Sequence, residues 1–406
     1  IVPVFRVTVP TNVTATVVLT FGRQQPAAGF GPEPGVVVDR AGWYRGDLHC
    51  HTPESSDAWK SGSALTPAEW ASHARRHGLD YLAMTDHNVV TQNLHLARDA
   101  GADVLLIAGE EMTNWFHGHA TVSGIAPGDW LDWRQSPAGL PLPTGHARIA
   151  DFLAVTREMQ AYVAAAHPAS GSLAWQFVAD GAHDPAARPD GWEVWTGVFQ
   201  PDNLAALAEW DRLLQQGWRI WANGGSDLHG TVNTNGVVFG TPTTVVYAAK
   251  LSKAAIVAAL RKGRTFITRR PDGVEIYLSA TGPGGQAQIV GGTIHGRPSD
   301  QVSFHALVRR AAGMRLHLIV DGALHSVTPI TEQEQEVRVT LPIAAGGYLR
   351  AEVHGQPFLD PVSPAAGRLD MEAITNPIFL VEGALPSDLE PVVAPPGAPG
   401  PRRSAG

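Results

Sequence analysis

Histidine and carboxylate side chains stand close together at several points of the sequence, and both residue types bind divalent metal ions. The first point is the run 47–52 (DLHCHT), in which His49 and His51 are two residues apart. In an extended strand, residues i and i+2 point to the same face, so both imidazoles can reach one ion. Cys50 then points to the opposite face, and we interpret it as a buried packing residue. This spacing alone predicts a possible metal site and no particular reaction.

The same residue types recur at the ends of other predicted strands. Asp227 and His229 repeat the i, i+2 spacing, and Glu111 and His167 each close a predicted buried strand. Such a repetition is improbable by chance. It therefore favours one shared metal centre over unrelated surface or core residues.

Three assignments stay open on spacing alone. Asp86 and His87 are neighbours that face opposite ways in an extended chain. We expect His87 to bind metal and Asp86 to support a ligand or cap a helix. His117 and His119 form another i, i+2 pair, of which one is a candidate ligand. Asp57 lies in a polar loop that can fold over the metals or stand exposed.

Alternating helices and strands are predicted to position these residues. Thr66, Pro67 and Glu69 have the spacing of a capping box with proline at the first helical position, and Gly78 can end that helix. A buried strand is predicted at 79–85. The cycle recurs as helices at 92–100, 147–159 and 203–216, which lead to strands at 104–108, 162–166 and 219–222. The alternation predicts an α/β fold with a parallel sheet closed into a barrel, whose catalytic groups lie at the strand ends.

The chain divides into four predicted regions. Residues 1–40 are predicted to form an N-terminal β segment, 41–270 the metal-binding domain, 271–389 a C-terminal β-sandwich-like domain, and 390–406 a flexible tail rich in Pro, Gly and Ala. Short strands are predicted in the third region at 274–280, 302–308, 316–320, 337–341 and 348–353.

Composition limits the classes of partner. The formal net charge of −8 provides no basic face for nucleic acid. No apolar run of about 18 residues occurs, so a membrane span is not expected. The single cysteine excludes an internal disulfide. The chain begins at Ile1, which fits a secreted or periplasmic protein with its signal removed as well as a different starting point. We expect a small-molecule partner, and the oligomeric state stays open.

Eight further histidines are expected to be solvated or hydrogen-bonded structural residues. Three of them, His73, His77 and His95, lie on predicted helices. The others fall in the C-terminal β region: His295, His305, His317, His325 and His354.

Taken in chain order, the metal-capable runs resemble the motifs of the PHP (polymerase and histidinol phosphatase) superfamily. The matching runs are 47–52 (DLHCHT), 85–88 (TDHN), 109–111 (GEE), 166–168 (AHP) and 225–229 (GSDLH). Residues 42–49 (GWYRGDLH) and the flanking β regions look most like the carbaryl-hydrolase-type branch. The resemblance covers about residues 43–270 and implies a distorted (β/α)7 barrel that holds two or three divalent ions.

The resemblance also implies a ligand set. One ion would be held by His49, His51, Asp227 and Glu111, a second by Glu111, His119 and His167, and a third by Asp57, His87 and His229. Many members of the family carry histidine where this chain has Asp57. The set contains imidazole and carboxylate and no thiolate, which suits Mn, Fe or Zn.

Such a centre is suited to ester hydrolysis, and a phosphoesterase acting on a phosphodiester or phosphomonoester is the leading hypothesis. Clustered ions lower the pKa of a bridging water, so that a metal-bridging hydroxide can attack phosphorus. The leaving alkoxide would be stabilised by a metal or protonated by an acid. The candidate acids are His119, His229 and Asp57.

Two other functions are compatible with the sequence. A carbamate or carboxylic ester hydrolase would use the same metals, as the carbaryl-hydrolase-type branch implies, with an aromatic pocket for the substrate. The tryptophans that could line such a pocket, or simply pack the core, are Trp115, Trp130, Trp133, Trp175, Trp192 and Trp195. A non-catalytic binding protein is the third hypothesis, against which the motifs retain every expected ligand.

Overall fold

The fold is described from a computed structural model. It covers residues 30–58, 62–114, 118–131, 146–175, 188–231, 238–359 and 368–384. The predicted tail at 390–406 and most of the predicted N-terminal β segment lie outside these ranges, as do His117, Trp115 and Trp133.

The described residues form strands and helices in the following order. They are β1 (Gly42–Cys50), α1 (Pro67–His77), β2 (Tyr81–Met84), α2 (Leu96–Ala100), β3 (Leu105–Asn114), β4 (Gly118–Ser123), α3 (His146–Glu158), β5 (Tyr162–Ala166), β6 (Gly191–Thr196), α4 (Pro201–Gln215), β7 (Trp221–Gly225), β8 (Thr243–Ala248), α5 (Lys253–Leu260), β9 (Thr265–Thr268), β10 (Glu275–Thr281), β11 (Ala287–Ile289), β12 (Thr293–Gly296), β13 (Gln301–Arg309), β14 (Arg315–Val320), β15 (Ala323–Pro329), β16 (Glu334–Pro342), β17 (Tyr348–Leu359), β18 (Arg368–Thr375) and β19 (Ile378–Glu382).

The predicted (β/α)7 barrel is wrong. Strands account for 41% of the structure and helices for 21%, and the strands form large mixed and antiparallel sheets. The main path of the largest sheet runs β12-β19-β17-β18-β9-β8-β1-β2-β3-β4-β5-β6-β7. Only β1–β2–β3, β5–β6–β7 and β12–β19 pair in parallel along it. The fold is therefore β-rich, with a few helices packed against a mixed sheet.

A hairpin between β3 and β4 breaks the expected alternation. The sequence predicts a strand that stops at residue 108, whereas β3 runs on to Asn114 and pairs antiparallel with β4, with Glu111 opposite Thr121. The short connection at 115–117 permits only an antiparallel pairing, because a parallel crossover needs a dozen or more residues. Glu111 therefore lies inside a strand and does not close one.

The predicted capping box of α1 is confirmed. The Thr66 side chain accepts a hydrogen bond from the Glu69 backbone N–H, while the Glu69 carboxylate accepts one from the Thr66 backbone N–H at 2.8 Å. Pro67 opens the helix and Gly78, at φ +75°, ends it in the left-handed conformation that glycine adopts without strain. No helix of the described ranges has both the length and the apolar character needed to cross a bilayer.

The strands nearest the candidate site are buried on both faces. In β2, Tyr81 and Ala83 pack into one hydrophobic cluster with α5, while Leu82 and Met84 pack into a second with α1. A strand covered on both sides has little freedom to shift register, because every side chain would exchange its environment. The strand ends are therefore held firmly in place.

The C-terminal strands enclose a separate hydrophobic cluster. All five strands predicted in this region are present as β10, β13, β14, β16 and β17. A second sheet, β11-β10-β13-β16, contributes Ile276 and Phe304 to this cluster, and the large sheet contributes Leu316 and Val353. The predicted domain boundaries at 40, 270 and 389 stay predictions.

Candidate metal centre

The structure brings all nine predicted metal-binding side chains into one cluster. They are His49, His51, Asp57, His87, Glu111, His119, His167, Asp227 and His229. Glu111 lies at its centre and is fully buried. Its Oε1 is 2.8 Å from His119 Nδ1 and 3.3 Å from His167 Nε2. The antiparallel pairing of β4 with β5 produces this proximity, because it sets His119 opposite Ala166, next to His167.

The other oxygen of Glu111 faces the pair of histidines at the end of β1. Glu111 Oε2 is 3.3 Å from His49 Nε2 and 3.4 Å from His51 Nε2. The same two nitrogens lie 3.4 Å and 3.1 Å from Asp227 Oδ1. Ligand atoms about 2.0–2.2 Å from a tetrahedral ion are separated by about 3.3–3.6 Å from each other. The four histidine–carboxylate separations are therefore close to those between ligands of one ion.

A third group lies toward solvent. Asp57 Oδ1 is 3.0 Å from His229 Nε2 and 3.4 Å from His87 Nε2. The ring of His229 stacks on that of His51 with centroids 4.0 Å apart. The side chains of Asp57 and His229 are 31% and 20% exposed, whereas that of His49 is fully buried. The cluster is thus closed around His49, His51 and Glu111 and open at Asp57, His229 and Asp227, whose side chain is also 31% exposed.

Several polar atoms at the centre have no hydrogen-bond partner. Within the described part of the chain this holds for the buried His49 Nε2, His51 Nε2 and Glu111 Oε2, whose contacts are ion pairs only; Glu111 Oε2 also lies 2.8 Å from His87 Nδ1. Burying polar atoms without partners costs free energy, and an ion bound among them would offset this cost. The residues therefore fit divalent metal ions.

Glu193 is a buried carboxylate that the sequence analysis missed. It lies on β6, where its two oxygens are 3.1 and 3.4 Å from His49 Nδ1. It also accepts hydrogen bonds from the His167 backbone N–H at 2.8 Å and from the Thr196 hydroxyl at 2.9 Å. A proton held on His49 Nδ1 leaves Nε2 as a metal donor. The available signal was a single charge inside an otherwise uncharged segment, GWEVWT.

A second buried acid, Asp86, is linked to His51 by hydrogen bonds through the Ser55 hydroxyl. Ser55 Oγ lies 2.7 Å from both His51 Nδ1 and Asp86 Oδ1. The hydroxyl donates its one proton to the carboxylate, so it accepts from His51 Nδ1–H and leaves His51 Nε2 free for metal. Asp86 also accepts from the Thr52 backbone N–H at 2.7 Å. Of the two predicted roles for Asp86, the structure favours support of a ligand.

Asp47 joins the segment after β7 to β1 through hydrogen bonds. Its Oδ1 accepts hydrogen bonds from the backbone N–H groups of Ser226, at 2.9 Å, and His49, at 3.1 Å. Burial raises the pKa of this carboxyl to about 6. Gly225 is required at the same contact, because a Cβ there would lie 2.3 Å from His49 Cβ. This close approach places Asp227 beside His49.

The charges of the cluster are strongly interdependent. Burial, reinforced by His229 and His87, lowers the pKa of His51 to about 3, which keeps its imidazole neutral. Burial opposes the charge of His49, but the carboxylates of Asp227, Glu193 and Glu111 hold its pKa well above the usual value. The buried acids therefore require positive charge nearby. In the absence of metal, protons on the imidazoles provide it.

Two of the predicted ligands have left-handed backbone conformations. His167 has φ +29° and Asp227 has φ +52°, values that cost free energy for residues with a side chain. A hydrogen bond from the Asp227 N–H to the His49 carbonyl, at 2.9 Å, holds the second of these in place. His167 directly follows β5 and Asp227 lies two residues after β7, and in these backbone conformations both side chains point into the cluster.

The tryptophans that the structure describes belong to the hydrophobic core. Trp192 and Trp195 are at most 1% exposed, and Trp175 is 4% exposed. The indole N–H groups of Trp192 and Trp195 donate to backbone carbonyls. Trp130 is half-buried and packs against the same core cluster. These positions favour a packing role over an aromatic substrate pocket.

No protein-family model matches the chain, and no curated protein matches it. The likeness to PHP proteins therefore stays a prediction from the residues themselves.

Proposed function

We propose that this protein is a multinuclear metal-dependent hydrolase of ester bonds and that its substrates are phosphoesters. One observation carries the proposal. Three buried donor atoms face one another at the centre: His49 Nε2 and His51 Nε2 each lie within 3.4 Å of Glu111 Oε2. None of the three has a hydrogen-bond partner among the described residues. Donor atoms held in this way are suited to a cation.

Three groups of side chains would hold the ions. They are His49, His51, Asp227 and Glu111; Glu111, His119 and His167; and Asp57, His87 and His229. The donors suit Zn, Mn or Fe. Bound divalent ions supply Lewis acidity and positive charge, which phosphoester hydrolysis needs because negative charge spreads over the phosphoryl oxygens.

The chain itself contributes orientation and exclusion of water. Glu193 and the Ser55–Asp86 pair hold the Nδ1 protons of His49 and His51, so that both Nε2 atoms face Glu111. Full burial of His49 and His51 keeps water from their inner side. Ligands fixed before metal or substrate arrives lose little conformational entropy when they bind.

The number of ions decides the role of the outer group. If only the two inner groups bind metal, His229 and Asp57 can share a proton between His229 Nε2 and Asp57 Oδ1, 3.0 Å apart, and deliver it to the leaving oxygen. If a third ion binds, both residues are its ligands. His119 is less suited to be the acid, because its Nδ1 is held 2.8 Å from Glu111 and its side chain is only 4% exposed.

The test combines metal analysis with turnover. Full-length protein is loaded with Mn²⁺ or Zn²⁺, dialysed, and analysed by mass spectrometry for metal content. It is then assayed on an aryl phosphodiester, a phosphomonoester and a naphthyl methylcarbamate. We expect at least two equivalents of metal and faster turnover of a phosphoester than of the carbamate.

Two variants sharpen the result. His51→Ala should lose metal and turnover together, whereas His77→Ala, an exposed histidine of α1 outside the cluster, should keep both. Fewer than two equivalents and no ester turnover in the loaded protein would overturn the proposal. Faster turnover of the carbamate would overturn the substrate class and leave metal-dependent hydrolysis standing.

A further inference from the structure

A second group of metal-binding side chains lies on strands that contribute nothing to the first centre. We propose that His317 on β14 and Glu352 and His354 on β17 form a separate site for one divalent transition-metal ion, such as Zn²⁺. The proposal does not depend on the proposed hydrolase activity. It revises the expectation that the histidines of the C-terminal region are only structural.

Strand register places the three side chains on one face. In the antiparallel pairing of β14 with β17, His317 lies opposite Glu352. His354 is two residues further along β17 and so shares the face of Glu352. Their neighbours Leu316 and Val353 point the other way, into the C-terminal hydrophobic cluster. This is the same i, i+2 construction that brings His49 and His51 together.

The donor atoms are close enough for one ion. His354 Nε2 lies 2.8 Å from Glu352 Oε2, and the rings of His317 and His354 have centroids 4.1 Å apart. One donor atom from each of the three residues lies within 4.8 Å of the other two, as holds for the ligand groups of the first centre. The donor separations are therefore at most 4.8 Å, compared with the separations of about 3.3–3.6 Å around a bound tetrahedral ion.

Neighbouring groups orient two of the three donors. Asp370 Oδ1 accepts a hydrogen bond from His354 Nδ1 at 2.7 Å, which leaves Nε2 directed at Glu352. The Arg350 guanidinium donates to Glu352 Oε1, which leaves Oε2 directed at His354. A carboxylate behind a histidine ligand is the usual support of metal sites, because it fixes the ring and its tautomer.

The acids around the group outnumber its arginines by one. Arg350 Nε donates to Asp211 Oδ1 at 3.0 Å, and Arg315 Nη2 to Asp370 Oδ2 at 2.9 Å. Arg350 also contacts Glu352, which is only 6% exposed, so two arginines face three acids and one negative charge is in excess. A buried acid in this position needs a further cation.

A proton on His354 or a metal ion can supply that charge, and His317 distinguishes the two. A proton shared between His354 and Glu352 needs no third residue. No hydrogen bond joins a ring nitrogen of His317 to any residue in the described ranges, although the ring is half-buried against His354. A metal ion would use this nitrogen as its third protein ligand, and imidazole is a preferred ligand of Zn, Cu and Ni.

Zinc binding by full-length protein tests the proposal. Wild type, His317→Ala and His354→Ala are loaded with Zn²⁺ alone, dialysed, and compared by metal analysis and isothermal titration calorimetry. The matched control is His325→Ala, an exposed histidine on the adjacent strand β15. We expect wild type and the control to hold one equivalent more than the two site variants, with ester turnover equal in all four proteins.

His317→Ala is the decisive variant, because it removes a ligand and leaves the hydrogen bonds of His354 intact. Equal zinc content in wild type and His317→Ala would overturn the proposal and identify the group as a protonated charge network. Asp370→Asn should weaken the extra zinc by about 10–100-fold. Loss of zinc from the first centre would appear as lost ester turnover, so failure of the proposed function is distinguishable from failure of this site.

Discussion

The metal centre around Glu111 and the group around Glu352 share one arrangement of ligands in the sequence and differ in their surroundings. Both place a pair of ligands two residues apart on a strand. The first centre collects its remaining ligands from distant segments, whereas the second completes its set from one neighbouring strand. Among the described residues, the acids at the centre of the first group pair only with histidines, whereas Arg350 contacts Glu352 in the second.

The two sites differ in whether an arginine neutralises their buried acids, and this difference decides how strongly each site depends on bound metal. Where no arginine or lysine neutralises the buried acids, positive charge must come from protons or bound ions, and the site depends on its ions. Where arginines are built in, the charge network contributes to the folded structure even without metal. Changes in the first region should therefore affect metal content most, and changes in the second should affect stability most.

Replacing the central acid should have the largest effect. Glu111→Gln removes the charge that five imidazoles face, those of His49, His51, His87, His119 and His167. We expect metal affinity to fall by more than the roughly 100-fold typical for loss of a supporting residue, and ester turnover to fall with it. Metal analysis and activity assays measure both. Glu110→Gln, the adjacent buried acid that accepts from the Leu131 N–H, serves as control and should keep its metals.

Removing the built-in cation of the second region should cost stability. Arg350 is 2% exposed and holds Asp211 and Glu352, so Arg350→Met leaves two acids without their partner. We expect the free energy of unfolding to fall by about 3–5 kcal/mol. Urea unfolding of the metal-free protein gives the value. The control is Arg338→Met, at an ion pair with Glu336 that is more than half exposed, and it should change the free energy of unfolding much less. A similar loss of stability in both variants would contradict the comparison.

An intermediate effect is expected at Glu193. Glu193→Ala frees His49 Nδ1 and the His167 backbone N–H, so metal affinity should fall by about 10–100-fold. Chelator competition measures the affinity. Glu193→Gln should recover part of the loss, because the amide oxygen still accepts a hydrogen bond. Unchanged affinity in Glu193→Ala would show that packing alone holds the His49 ring.

The smallest effect is expected at the open edge of the first centre. Asp57→Ala should remove no more than one equivalent of metal, because Asp57 contacts only His87 and His229 among the predicted ligands. If the first centre binds only two ions, its metal content is unchanged in Asp57→Ala and only the protonation of the leaving group slows. Loss of all ions from this variant would contradict the separation into inner and outer groups.

Local sequence patterns predicted some elements well. The capping box at Thr66 and Glu69 satisfies backbone groups within one turn, so its helix can be recognised without tertiary information. The burial of Cys50 follows from the alternation of a strand in the same way. Both predictions rest on residues within a few positions of one another.

The sequence by itself determined which residue types could bind metal and where their short spacings lie. Only the tertiary structure decided that β3 continues through Glu111 into an antiparallel hairpin, that Glu193 stands behind His49, and that His317 meets Glu352. Strand pairing joins positions far apart in the chain, and no local periodicity records which strands will pair. The residue types of the ligands could therefore be predicted from the sequence. The residues that contact them and the strand pairing that brings them together could not.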